Sequence, residues 1–153
     1  MKQLELLIPP PVIVLLSGLL MWLLAQLFPV LNGSWPANIL ISSLFVVIGL
    51  AIALNGIMTF KRGKTTVNPK RPIDTARLIN TGIYRYSRNP MYLGMLFLLM
   101  AWAVQLENII SIVGIVLYIA YMTRFQIVPE ERALQAKFSD DFFEYKKQVR
   151  RWL

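Results

Sequence analysis

The sequence predicts an all-α polytopic membrane protein with about four transmembrane helices, a C-terminal helical hairpin, a structured loop before that hairpin and a C-terminal amphipathic helix. Two observations predict it. Of 153 residues, 56% are hydrophobic, and they come in uncharged blocks rather than with the periodicity of a soluble core. The 16 Lys and Arg residues are confined to the segments between and beyond those blocks.

The first block, Val12 to Phe28, and the second, Ile39 to Phe60, contain no charged residue. At the helical rise they reach roughly 26 and 33 Å, enough to span a bilayer. The third, Met91 to Leu106, is shorter at about 24 Å. The fourth, Ile109 to Thr123, extends to Val128 if Arg124 snorkels. Only Gln105, Leu106, Glu107 and Asn108 join the last two, which therefore read as a tight antiparallel hairpin. The first block is expected to be a retained span rather than a signal peptide. It opens on Pro9-Pro10-Pro11, exceeds a usual signal core and lacks an Ala-x-Ala site.

Charge sets the expected orientation. Lys61 to Arg88 holds eight Lys and Arg against one acid, Asp74, and the chain from Arg124 onward holds seven. The Pro29 to Ala37 connection holds none, so both basic segments and both termini are expected on the cytoplasmic side. The net charge of +8 is loop-confined and carries no groove-reading motif, so it suits anionic lipid headgroups rather than nucleic acid. Trp22, Trp35 and Trp102 read as interfacial anchors, and Gln26 and Asn55 as interhelical hydrogen-bonding groups. Gly49 and Gly56 allow close helix approach.

Cys and His are both absent. That excludes a disulfide framework, Cys/His metal ligation, an iron–sulfur cluster, a Ser-His-Asp triad and a thiol nucleophile. Chemistry here must run without imidazole or thiol.

The loop 61–89 is too long for a simple turn and includes Gly63, Pro69, Pro72 and Gly82. Leu78, Ile79, Ile83, Tyr84 and Tyr86 give it apolar surface to bury. Pro90 is expected in the first turn of the third helix, where its missing N–H costs nothing. Pro129 is expected to restart a helix, in the tail 129–153, with Glu130 and Glu131 beside the positive end of its dipole. Leu134, Phe138, Phe142, Tyr145 and Val149 form an apolar stripe interrupted at Ser139-Asp140-Asp141, so the tail should lie against the bundle or the membrane surface. An antiparallel hairpin brings Arg88-Asn89-Pro90 beside Glu130-Glu131. Loop amides suit a carboxylate, a Glu suits an ammonium, and Tyr84, Tyr86 and Tyr92 offer faces for a ring or a cation.

The stretches "TTVNP...LINTGIYRYSRNPMYLG" and "PEERALQAKFSDDFFEYKKQVRRWL" resemble the integral-membrane methyltransferases of the isoprenylcysteine carboxyl methyltransferase and phospholipid methyltransferase superfamily. The resemblance runs from Thr65 to Leu153. It implies S-adenosyl-L-methionine as cofactor, enclosed at the cytoplasmic interface. By position it implicates Arg77, Leu78, Ile79, Tyr84, Asn89, Pro90, Met91, Tyr92 and Glu130, with Glu131 a neighbour. Leu78 and Ile79 would flank the adenine, and Glu130 would hold the amino group. Asn89 stands where the best-known members carry His, and it cannot act as a proton-carrying base near neutral pH. Gln126 stands where prenylcysteine-methylating members carry Arg, so Arg124 becomes the candidate for orienting the acceptor. The acceptor class stays open between isoprenylcysteine-like carboxylates, phospholipid amines and thiols. A nicotinamide-dependent membrane reductase and a non-catalytic membrane scaffold are the competing readings.

Overall fold

A computed structural model describes residues 5–34, 36, 38–62 and 78–153. Trp35 and Arg77, both singled out from the sequence, lie outside these residues. The described residues form five helices: α1 (Pro10–Leu27), α2 (Asn38–Arg62), α3 (Pro90–Leu106), α4 (Ile112–Tyr121) and α5 (Val128–Gln148). Short 3₁₀ turns at Pro29–Leu31, Gly82–Arg85 and Ile109–Ser111 punctuate them, and a π-helical stretch, Met122–Ile127, joins α4 to α5. No β-strand forms among the described residues.

Three helical runs are long and apolar enough to cross a membrane: α1, α2, and the run Ile109–Gln148, whose apolar part ends at Val128. The 17-residue α3 is a shorter apolar helix. Large aliphatic side chains such as Leu15, Leu19, Leu40, Leu44 and Val47 point outward. In water that surface would be costly, and in lipid it is the surface a spanning helix needs.

Close packing of α2 on α3 rests on glycine. A Cβ added to Gly94 would stand 2.6 Å from the Gly49 carbonyl oxygen and 2.8 Å from the Ala53 Cβ. Small residues at such crossings let helix backbones approach where no hydrophobic force drives them together. On the other side of α3, the core contains Ile13 and Met21 of α1, Tyr92 and Leu99 of α3, and Tyr118 of α4. Gly114 of α4 makes room for Met21.

The hairpin forms, and polar side chains tie its turn to the α1–α2 connection. Asn108 Nδ2 donates to Phe28 O at 2.9 Å and to Asn32 Oδ1 at 2.6 Å, while Asn38 Nδ2 donates to Glu107 Oε1 at 2.6 Å. Gln105 Nε2 reaches Ser42 Oγ at 2.5 Å.

Three sequence expectations are corrected. Asn55 does not bridge helices: its Nδ2 donates to Ala51 O, 2.8 Å away on its own helix, because i–4 carbonyls are in reach and the residue faces outward. Trp102 is more than an anchor, since its indole N–H donates to Gly18 O at 3.0 Å and joins α3 to α1. Pro129 stands in the first turn of α5 with Glu130 and Glu131 after it, as expected, but no break in the helical run precedes it. The helical run is continuous through it, because the π-helical stretch precedes it and the carbonyl it cannot bond, Phe125 O, accepts the Leu6 backbone N–H at 2.9 Å.

The break inside α5 falls at Ser139, whose φ is 40°. Around it the stripe Leu134, Phe138, Phe142, Tyr145 and Val149 buries itself against Leu78. The tail therefore folds back over the segment that leads into α3.

Replacing Gly94 by Val should cost about 1–3 kcal/mol through overpacking, whereas Gly18→Ala, whose added Cβ has nothing nearer than 3.8 Å, should be close to neutral. Thermal unfolding of the two variants in the same detergent checks the contrast.

Candidate active site

Two turns of chain present the site. Pro90 starts α3 with its fixed φ, so the first turn of α3 carries Met91 and Tyr92 directly after Arg88-Asn89. Just past the π-helical stretch, the first turn of α5 presents Glu130 and Glu131. The hairpin places these ends side by side: Tyr92 donates its hydroxyl to Glu130 Oε1 at 2.5 Å, and Tyr118 OH donates to Tyr92 O at 3.0 Å.

Tyr84 completes the group. It sits in the Gly82–Arg85 turn, is buried, and meets Phe60 of α2 edge-on at 5.2 Å. Its carbonyl accepts from Tyr145 OH at 2.7 Å, which fixes the turn against α5. The Tyr84 hydroxyl is buried, lies within electrostatic reach of Glu130, and has no hydrogen-bond partner among the described residues. Burial pushes both the Tyr84 and Tyr145 hydroxyls up from the ordinary phenol value, so both are neutral donors.

The two adjacent glutamates differ in charge. Part of Glu130 faces solvent, but protein encloses its carboxyl, and burial pushes its pKa up to about 8 against the opposing Tyr92 hydrogen bond. The negative Glu131 adds to the rise. Glu131 is itself held below the usual carboxylate range: burial raises it, but hydrogen bonds from Arg151 and Arg88 outweigh that. Arg88 Nη2 lies 2.6 Å from Glu131 Oε1, with side chains 10% and 11% exposed, and Arg151 Nη2 lies 2.7 Å from Oε2.

Asn89 takes a structural position. Its Nδ2 donates to Arg151 O at 2.9 Å and its backbone N–H to Ser87 Oγ at 3.1 Å. Leu78 and Ile79 line a cleft of about 880 Å³ between the end of α2, residues 78–82 and α5, with Thr59, Asp141, Glu144 and Tyr145 on its other walls. That volume is in the range of small-molecule sites, roughly 300–1,000 Å³. Arg124 and Gln126 have their polar ends engaged elsewhere. Arg124 Nη1 lies 3.2 Å from Glu5 Oε1, and the buried Gln126 donates Nε2 to Ile8 O at 2.7 Å.

The loop, the Arg-Asn-Pro turn and the paired glutamates are joined in the chain by the hairpin between them. The phospholipid methyltransferase family profile matches residues 37–141, which takes in all three. The chain belongs to the phospholipid methyltransferase family. Among proteins similar to this family member, an uncharacterised protein of Haemophilus influenzae is 43% identical over 63 residues, which are 41% of this chain and 100% of that protein. Proteins of Oryza sativa subsp. indica and subsp. japonica, each described as "Probable protein-S-isoprenylcysteine O-methyltransferase", are 31% identical over 125 residues. Those residues are 82% of this chain and 65% of each rice protein, so the chain spans about two thirds of their length. No solved structure matches.

Sequence reasoning placed Arg88 beside the glutamates without giving it a role, and missed Arg151, Tyr118 and Tyr145 as parts of this site. The only signal for Arg151 is its place in the basic Arg150-Arg151 pair, which composition reads as headgroup affinity.

Breaking the enclosed pair by Arg88→Met leaves Glu131 short of a partner and should destabilise the protein by about 3 kcal/mol, read as a lowered thermal midpoint. Glu130 has a second signature. Its folded pKa lies above the ordinary 4.5, so the stability it contributes is complete below that value and is lost as pH rises through about 8. Wild type should lose stability relative to Glu130→Gln across that window, as measured by unfolding midpoints over a pH series.

Proposed function

We propose that this protein is a methyltransferase that uses S-adenosyl-L-methionine at the membrane face carrying the loop and the tail, and passes the methyl group to a lipophilic or small acceptor. The observation that carries the reading is the meeting of Glu130, Tyr92 and Tyr84 beneath the segment that leads into α3. Family membership supports it.

The residues present fit the cofactor. Glu130 is an enclosed carboxylic acid that an ammonium would ionise, and the unpartnered Tyr84 hydroxyl is a donor with nothing to donate to among the described residues. Leu78 and Ile79 suit a flat apolar ring, at the wall of a cleft whose lining does not include Glu130, Tyr92 or Tyr84. Tyrosine faces near a carboxylate suit a cation. When bound, the cofactor supplies a methyl group on a positively charged sulfur, and transfer neutralises that charge. Positioning and exclusion of water can then account for most of the acceleration. Glu130 and Tyr92 hold one end of the site while Tyr84, fixed by Tyr145, shields it from the aqueous side. No His or Cys is available as base, so a carboxylate or thiolate acceptor arrives already ionised. Arg124 is a candidate for orienting an acid acceptor only after Glu5 releases it, and Gln126 only after Ile8 does. A lipophilic acceptor enters sideways from the bilayer, near Tyr92 and the fourth span. The positive charge of the loop and tail supports a cytoplasmic position for this face and for both termini.

S-adenosylhomocysteine binding tests the cofactor. Calorimetry on the full chain in nanodiscs should show saturable binding that releases a proton near pH 7, because the ligand's ammonium draws Glu130 below its resting pKa of about 8. Glu130→Gln should weaken binding at least about tenfold, the worth of one enclosed charge-assisted contact. Binding of NADPH without S-adenosylhomocysteine would replace this reading with a reductase. For the acceptor, methyl transfer to long-chain thiols should exceed transfer to short water-soluble ones, and equal rates would count against lateral entry.

A further inference from the structure

Resting on that cofactor reading, we propose that Arg151 is a positioning residue of the site. Its guanidinium, together with that of Arg88, pins and neutralises Glu131, which leaves Glu130 as the carboxylate free to pair with a cationic ligand group.

The geometry begins with the backbone. After α5 ends at Gln148, the chain turns back across the Ser87-Arg88-Asn89 turn. Arg88 N–H donates to Arg150 O at 3.1 Å, Asn89 Nδ2 donates to Arg151 O at 2.9 Å, and Ser87 Oγ reaches the same oxygen at 3.5 Å. On the far side, Trp152 Nε1 donates to Thr123 Oγ1 at 3.2 Å, and its ring centroid lies 6.4 Å from that of Tyr118. Arg151 is thus held from both neighbours, and its side chain projects to Glu131 through two bonds: Nε to Oε1 at 3.2 Å and Nη2 to Oε2 at 2.7 Å. Arg88 bonds the first oxygen as well, and its other terminal guanidinium nitrogen donates to Val149 O at 2.5 Å. Both Glu131 oxygens are therefore committed.

The consequence for Glu130 is electrostatic. Two neighbouring carboxylates repel, and the second to ionise is held back. The charged and titratable groups around Glu130 are Tyr92 from α3, Tyr84 from the turn before it, and Glu131 on its own helix. Arg88 and Arg151 act on it through Glu131. With Glu131 compensated by two cations, the repulsion it exerts is reduced. Removing Arg151 restores part of that repulsion and pushes the Glu130 equilibrium toward its neutral form.

Infrared difference spectra of the ligand-free full chain in nanodiscs, with Glu130→Gln identifying its carboxyl band, read the titration directly. Arg151→Gln should raise the Glu130 midpoint by about half to one pH unit, and Glu131→Gln should lower it. Arg151→Lys should restore most of the midpoint. Arg132→Gln, which removes a partner of Glu5 instead, should leave it in place. With S-adenosylhomocysteine as probe, Arg151→Gln should bind about 3–10-fold more weakly below the wild-type midpoint, and the difference should close as pH rises past the variant's own, raised midpoint. An unmoved midpoint in Arg151→Gln, or an equal loss of affinity at every pH, overturns the proposal. A shifted midpoint in a chain whose wild type binds no S-adenosylhomocysteine upholds the role of Arg151 and overturns the cofactor reading instead.

Discussion

Glu130 and Glu131 are adjacent acids at the end of an apolar helical run, and bringing both out of bulk water requires each to be compensated from a different part of the chain. Glu131 draws in Arg88, from the turn before α3, and Arg151, from the chain beyond α5. Glu130 takes the Tyr92 hydroxyl. These contacts tie the turn before α3, the hairpin and the tail into one unit. The fold at this end follows from the need to satisfy two carboxylates, and the same need creates a chemical difference between them.

The rest of the bundle keeps that arrangement in register. Glycines at 49 and 94 set how closely α2 approaches α3, and Met21 against Gly114 sets how α1 meets α4. Tyr118 OH fixes the first turn of α3 from the neighbouring helix. The π-helical stretch and Pro129 would leave backbone groups unpaired at the membrane boundary. The segment before α1 supplies the donor for Phe125 O and the acceptor for Gln126. A side chain whose position in the sequence suggests a ligand contact thereby holds the segment before α1 to the fourth span.

Part of the site is legible in the sequence. Pro90 in a first turn, a hairpin joined by Gln105–Asn108, and an apolar stripe on the tail all follow from local rules, and the hairpin alone implies that Tyr92 and Glu130 meet. Asn55 and Trp102 depart from expectation for a common reason. A polar group in a helix can satisfy itself from its own i–4 carbonyl or from a neighbour, and the choice depends on which face the packing turns inward. Arg151 carries no usable sign, because a basic residue near a membrane serves lipid headgroups in most settings.

The sequence by itself determined the all-α membrane class of this protein, its apolar helices, and the two stretches whose pattern places it among membrane methyltransferases, because these depend on composition, periodicity and local motifs. The tertiary structure decided which carboxylate stays ionised, which tyrosine hydroxyl is left without a partner among the described residues, and where the tail lies. Those outcomes depend on distances between residues as far apart as 88 and 151. At separations of a few ångströms, burial and charge change sign or size with each neighbour, and no local pattern records which neighbours will be there.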